Sequence, residues 1–291
     1  MQQVDLKEVK KIIAAALDED LGEQGQGDIT SNLTIDKDCQ VNFQIAAREN
    51  IILCGADIAL MVFKQVSERL KISEIKLNKH FEDGQTLSKG DVIISGFGNA
   101  RLVFAAERTA LNLIQHLSGI ASKVHDYVSR LSNNKTQILD TRKTIPVLRA
   151  LQKYAVKVGG GKNHRFALYD GVLIKDNHIA AAGSVKNAIL MAKQGLKAQN
   201  KKMLIEVECD NIRQVRQALE AKADIIMLDN MNLKQIASAV KIINNKAKIE
   251  VSGGVNLKKI KAISDAGVDY ISVGCLTHSV CAVDIGLDIL D

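Results

Sequence analysis

Arg142-Lys143, His164-Arg165 and Lys175 are cations of the kind that hold a multiply anionic molecule. Arginine offers a planar fork to carboxylate or phosphate, and lysine a compact point charge. Glu208 and Asp229 add two carboxylates. Mg²⁺ is typically held by one or two carboxylates together with substrate phosphate, so the set fits an anionic substrate bound with Mg²⁺. Ser252-Gly253-Gly254 and Gly274 are small residues whose backbone N–H groups can approach a phosphate. The helix expected from about Asn256 would offer its N-terminus there. Taken singly, each feature has an ordinary reading. Basic pairs in loops are usually solvated, and Ser-Gly-Gly is usually a turn. Glu206 reads either as a site residue or as an interior residue paired to a lysine. His116 and His125 read as structural or exposed, His278 as a cap or a ligand, and the cysteines as buried small hydrophobes.

The polar groups gain weight from where they stand. Apart from the nearby His164-Arg165, they follow or end short apolar runs: Gln137–Leu139, Val172–Ile174, Met203–Ile205, Ile225–Leu228, Lys248–Val251 and Tyr270–Val273. A period of two places Glu206 and Glu208 on one strand face. Helical patterns lie between the later runs, at Val185–Leu196, Ile212–Ala221, Leu233–Ile243 and Leu257–Ala266. Such alternation predicts parallel strands joined by crossover helices. Six units suit a barrel better than a full eight-fold one, since the chain has no room for two more. Polar residues at the carboxyl ends of such strands converge on one mouth.

The earlier part of the chain reads differently. Leu6, Val9, Ile13 and Leu17 share a helix face, and Gly22, Gly25 and Gly27 break it. Val41–Ala47 predicts a strand and Ala56–Leu70 an amphipathic helix. Asp83-Gly84 and Gly90-Asp91 are turn signals between short apolar stretches. A long helix is expected over Ala100–Leu117, with another starting at Gly119.

Composition narrows the function classes. With 291 residues, the chain suggests one large or two modest domains at roughly 150 residues each. Hydrophobic residues are 46%, too many for a disordered chain. Aromatics are 3% with no Trp, so a base-stacking platform for nucleic acid is not expected. The net charge of +6 comes from 39 Lys and Arg against 33 Asp and Glu, with no long basic run. Five cysteines without a Cys-x-x-Cys pair argue against a disulfide framework or a Cys-rich zinc site. Met1–Lys11 is charged where a signal peptide would be apolar. No apolar run reaches the roughly 18 residues of a membrane span, so a cytoplasmic protein is expected. Dinucleotide-binding, Walker, Gly-x-Ser-x-Gly and His-Glu-x-x-His motifs do not occur.

Longer motifs add a resemblance. They include Gly27-Asp28-Ile29-Thr30, Glu107-Arg108, Ser118-Gly119-Ile120-Ala121 and Asp140-Thr141-Arg142-Lys143-Thr144. They continue through Gly159-Gly160-Gly161, Asn163-His164-Arg165, Lys175-Asp176-Asn177-His178, Glu206-Val207-Glu208, Asp229-Asn230, Ser252-Gly253-Gly254 and Gly274-x-Leu276-Thr277-His278. In this order, over nearly the whole chain, they closely resemble the quinolinate phosphoribosyltransferases. The resemblance implies an α/β fold, with an N-terminal α/β sandwich over 1–112 and an incomplete, six-stranded α/β barrel over 113–291. The C-terminal tail could pack back on the sandwich. It implies transfer of a phosphoribosyl group from phosphoribosyl pyrophosphate to quinolinate, with Mg²⁺ and with loss of CO₂. The products are nicotinate mononucleotide and pyrophosphate, in de novo NAD synthesis.

Matching positions supply the implied site. Quinolinate falls to Arg108, Arg142, Lys143, His164, Arg165 and Lys175. Phosphoribosyl pyrophosphate falls to Lys143, Lys175, Glu208, Asp229, Ser252, Gly253, Gly254 and Gly274. Lys143, Lys175, Glu208 and Asp229 are the expected catalytic residues, and Glu208 and Asp229 the expected Mg²⁺ ligands, largely through substrate and water. A homodimer or larger homo-oligomer is implied, with Arg108 reaching the neighbouring subunit's site and no nucleic acid or membrane partner. Val147 and Ala167 stand where the family usually has Gly, and Ser122 where it usually has Thr. A less permissive backbone at Val147 predicts a differently shaped loop after Lys143. The rival readings are a paralogue of the same fold with another acceptor, and a non-catalytic phosphosugar-binding barrel.

Overall fold

A computed structural model describes residues 5–23, 26–72 and 75–291. Gly25 and the first four residues, on which the helix-break and leader readings partly rest, lie outside the described residues. Contacts group the chain into two compact units. One, the sheet unit, comprises 1–125, 144–160 and 276–291. The other, the barrel unit, comprises 126–143 and 161–275.

The chain begins with α1 (Leu6–Leu21), α2 (Ile29–Thr34), β1 (Gln40–Ala47), β2 (Ile51–Ile52) and α3 (Ala56–Leu70). There follow β3 (Ile75–Lys79), β4 (Thr86–Leu87), β5 (Val92–Asn99) and α4 (Ala100–Val128). Then come β6 (Gln137–Leu139), α5 (Arg149–Val158), β7 (Val172–Ile174), α6 (Asp176–Ala182) and α7 (Val185–Ala198). The later elements are β8 (Ile205–Cys209), α8 (Ile212–Glu220), β9 (Ile225–Asp229) and α9 (Leu233–Ile243). Last come β10 (Lys248–Ser252), α10 (Ile260–Asp265), β11 (Tyr270–Ser272), α11 (Cys275–His278) and β12 (Ile285–Leu290).

In the sheet unit, four antiparallel strands run in the order β12-β1-β5-β3, backed by helices in the expected α/β sandwich. Phe43 and Ile45 alternate onto the buried face of β1, and Phe43 stacks on Phe63 of α3 with ring centroids 5.5 Å apart. The turn residue Asp83 has a second task. Its carboxylate accepts the Gly55 and Ala56 N–H groups at the start of α3, at 2.9 and 3.1 Å. Asp28, from the Gly27-Asp28 motif, caps α2 by accepting the Ser31 N–H at 3.1 Å.

Two expectations are corrected here. The helix does not restart at Gly119, because α4 runs unbroken through it. A Cβ on Gly119 would lie 2.3 Å from the Cys281 carbonyl oxygen, so this glycine admits a close backbone and does not end a helix. Nor are all cysteines buried. The Cys281 thiol is exposed, while Cys54 and Cys209 are buried.

The barrel unit carries six parallel strands in the order β6-β11-β10-β9-β8-β7. On the open side, between β6 and β7, Lys162 makes a single parallel bridge with Leu139. Ile226, Leu228, Val207, Ile249 and Ile271 are buried beneath the surrounding helices, the near-continuous burial expected of parallel strands. Asn211 and Asn232 cap α8 and α9 through their side chains. Among the described residues, no helix is long and apolar enough to cross a membrane.

Candidate active site

The carboxyl ends of the barrel strands bring together most of the expected residues. Lys175 follows β7 and precedes α6, and its Nζ lies 2.8 Å from Glu208 Oε2 on β8. Asp229 ends β9, level with Ser252 at the end of β10. Carboxylate oxygens of Glu208, Asp210 and Asp229 lie within 4.8 Å of one another. Asp210 is an addition that the sequence reading had not singled out.

Next to them, Asn230 adopts φ 54 and donates a hydrogen bond from its side chain to Asp229. Gly253 adopts φ 85, and a Cβ there would come 2.2 Å from Asn230 Oδ1. Both its conformation and its neighbour therefore require glycine. Gly254 has no heavy atom closer than 3.9 Å to a Cβ position, which leaves its backbone approachable. The loop is not followed at once by a helix. Asn256 Oδ1 accepts the Lys258 N–H at 3.1 Å in a local turn, and α10 starts only at Ile260. The expected helix N-terminus at Asn256 is thus replaced by that turn.

On the cationic side, Arg142 and Lys143 follow β6. Arg142 Nε is buried and makes no hydrogen bond within the protein. Arg165 is held below the usual arginine range, first by burial and then by the charge of Arg142, while Glu206 opposes the shift. Two guanidinium groups close enough to repel, one with a buried unpartnered N–H, have the chemistry to accept a carboxylate. Arg165 Nη1 donates to the Gly171 carbonyl at 2.8 Å, which steadies it. Lys143 is exposed. Arg108 belongs to the sheet unit, where it is exposed on α4 with its guanidinium 3.8 Å from the Glu107 carboxylate.

Behind these groups lies a buried polar layer that sequence reasoning largely missed. Asp140 is fully buried, and its two oxygens accept the Asn163 side-chain N–H at 2.6 Å and the His164 backbone N–H at 2.8 Å. Glu206 is interior, yet its partner is His164 at 3.0 Å, not a lysine. Glu250 on β10 comes within 3.7 Å of the same His164 nitrogen. Burial, followed by the charge of Glu206, pushes the Glu250 carboxyl up to about 8. The available signal was the strand period, since Glu250 shares a face with Ser252 as Glu206 does with Glu208.

His116, His125 and His278 belong to the sheet unit. His116 meets the Gln152 side chain at 2.8 Å, and burial lowers its pKa. His125 is exposed. His278 ends α11 beside Ser279. Val147 lies in the sheet unit at φ 68 and is 77% exposed. The departure there appears as a β-branched residue in the left-handed region.

Comparison with known proteins agrees over the whole chain. Residues 28–118 match the model of the quinolinate phosphoribosyl transferase N-terminal domain, and residues 120–288 that of the C-terminal domain. A probable nicotinate-nucleotide pyrophosphorylase (carboxylating) of Methanocaldococcus jannaschii is 44% identical over 289 residues, covering 96% of each chain. The nicotinate-nucleotide pyrophosphorylase (carboxylating) of Mycobacterium leprae is 40% identical, covering 90% of this chain and 91% of its own. The crystal structure of the Ehrlichia chaffeensis nicotinate-nucleotide pyrophosphorylase superposes with a TM-score of 0.89 at 44% identity, covering 99% of this chain and 100% of that one. With both domains matched in order and relatives this similar along their full length, the chain belongs to the quinolinate phosphoribosyltransferase family.

Proposed function

We propose that this chain transfers the phosphoribosyl group of phosphoribosyl pyrophosphate to quinolinate, releasing pyrophosphate and CO₂ and leaving nicotinate mononucleotide for NAD synthesis. The observation that carries the reading is the Arg142–Arg165 pair, with its buried unpartnered Nε, in the same strand-end mouth as Glu208 and Asp229. Quinolinate presents two adjacent ring carboxylates. Arg142, Lys143, Arg165 and Lys175 supply cations for both, with His164 behind Arg165. The approachable backbone of Gly253-Gly254, with Ser252 and Gly274, suits the 5-phosphate.

Pyrophosphate leaves the ribose C1, and positive charge develops on the sugar. Glu208 and Asp229 stabilise that charge, and Lys143 and Lys175 that of the departing pyrophosphate. The pyridine nitrogen attacks C1. Once quaternised it stabilises the electron pair left on the adjacent ring carbon when its carboxylate departs as CO₂, and that carbon then takes a proton from solvent. The residues mainly position the reactants and stabilise charge, and no strong general base is needed. Glu208, Asp210 and Asp229 fit a hard cation, being oxygen donors grouped within 4.8 Å. Mg²⁺ held there with substrate phosphate would supply further neutralisation of the pyrophosphate.

The same reading makes the enzyme a cytoplasmic dimer or larger homo-oligomer in which Arg108 of a neighbouring copy completes each site. The exposure of Arg108 supports this. Incubation with quinolinate, phosphoribosyl pyrophosphate and Mg²⁺ should yield CO₂ and nicotinate mononucleotide in equal amounts. No product, beside an active control enzyme, would sink both the reaction and the choice of acceptor.

A further inference from the structure

His164 has no ring nitrogen left for a substrate. Its Nδ1 accepts the backbone N–H of Arg165 at 2.8 Å. An amide N–H only donates, so Nδ1 carries no proton, and the ring's single proton sits on Nε2. That proton faces Glu206 Oε2 at 3.0 Å, with Glu250 farther off at 3.7 Å. The His164 side chain is 11% exposed and that of Glu206 8%. The backbone of the same residue is held by Asp140, which accepts the His164 N–H at 2.8 Å.

We propose that Glu206 is a positioning residue for the acceptor. By accepting the Nε2–H hydrogen bond it holds His164 in one neutral tautomer, and the unprotonated Nδ1 then accepts from, and fixes, the backbone of Arg165. The Arg165 guanidinium, steadied at the Gly171 carbonyl, is thereby set where a ring carboxylate can meet it. His164 accordingly acts through Arg165 and does not itself touch the dicarboxylate. This rests on the reading of Arg165 as a carboxylate receptor. It has the logic of a supporting partner that orients a binding group, familiar from histidine ligands held by carboxylates.

Nuclear magnetic resonance of isotope-labelled histidine rings tests the first link without any substrate. In the native protein His164 should be the neutral Nε2–H tautomer. Glu206→Met keeps the volume and removes the acceptor, and that tautomer should no longer dominate. Its KM for quinolinate should rise about tenfold, as for loss of a hydrogen bond to a charged group. Its KM for phosphoribosyl pyrophosphate should stay within about twofold, because uniform damage would move both. Glu206→Gln keeps an acceptor oxygen and should restore tautomer and KM together. The proposal is overturned by a native ring protonated on Nδ1, by an unchanged tautomer in Glu206→Met, or by an equal rise in both KM values. A metal ion that copurifies stoichiometrically and is lost with Glu206 would also overturn it, since the donors of His164, Glu206 and Glu250 lie within 4.8 Å of one another. Should the native protein make no product, the reading of the reaction fails, and the ring spectra still decide the relay.

Discussion

The sheet unit encloses carbon. Phe43, Phe63, Ile13, Leu17, Ile45 and Leu87 are fully buried in it. It also buries Lys153, whereas the barrel unit encloses carboxyl groups. Among the described residues, every buried carboxylate belongs to it: Asp140, Glu206, Glu250 and Asp269. Apolar burial is non-directional and stabilises wherever area leaves water. A buried carboxylate costs stability unless it is hydrogen-bonded or paired, and what it supplies is direction. Asp140 and Glu206 supply it to His164 and so to Arg165. One unit is thus organised for stability, and the other gives up stability to aim side chains.

The largest effect that should separate the two units is on turnover. Lys143→Ala is expected to lower the rate about 10²-fold or more, because charge is removed at the reacting centre. Its thermal midpoint should stay close to native. Arg108→Ala, changed on the sheet unit, should cripple quinolinate binding. Mixing the two inactive variants should recover part of the activity through hybrid oligomers. Full activity of Lys143→Ala would refute its assigned role, and proven hybrids without recovery would refute sharing of Arg108.

Phe63→Ala probes the opposite property. The ring is fully buried against Phe43, so its loss should cost about 3–5 kcal/mol in urea denaturation. A loss below about 1 kcal/mol would show that the sheet unit is not held by this packing.

A pH series then tests the charge in the barrel. Burial and the charge of Glu206 push the Glu250 carboxyl up to about 8 in the folded protein, from an ordinary value of 4.5. Between these values the folded state holds the proton more tightly than the unfolded chain. This group's contribution is therefore fully present below about 4.5 and lost as pH rises to about 8. The groups facing it are Glu206, whose charge raises its pKa, and the His164 ring at 3.7 Å. Glu250→Gln should remove the slope, so its stability relative to native should climb from pH 5 to pH 8. A constant difference across that range would contradict a protonated Glu250.

The smallest effect concerns the exposed loop of the sheet unit. Val147 at φ 68 is a β-branched residue in the left-handed region. Val147→Gly should gain about 1 kcal/mol, the relief of strain exceeding the entropy cost of glycine. A measured loss of stability would mean that the loop is not strained there.

Several elements were legible in the sequence to the residue. The apolar runs at 137–139 and 172–174 are β6 and β7, and the pattern at 56–70 is α3. The third barrel strand was misplaced for a physical reason. Hydropathy pointed to Met203–Ile205, but Leu204 is 64% exposed and β8 runs over Ile205–Cys209. Its buried face includes Glu206, so polarity hid a core position. β12 gave no local signal either. It forms by pairing with β1 from the opposite end of the chain, and such a partnership is set by tertiary contact.

Sequence alone determined the elements that rest on neighbours: helix periodicity, caps, turns, and the order of strand and helix that makes a parallel barrel. It also determined which cations and carboxylates would meet, because residues at the carboxyl ends of parallel strands share one mouth. Tertiary structure decided what each of them touches. Lys175 meets Glu208, Glu206 meets His164, and Asp140 holds the His164 backbone, all between residues well separated in the chain. The +6 charge illustrates the division. The total is a property of composition, but the field at Arg165 comes from Arg142 and Glu206, and charges interact through distance and dielectric, which folding alone sets.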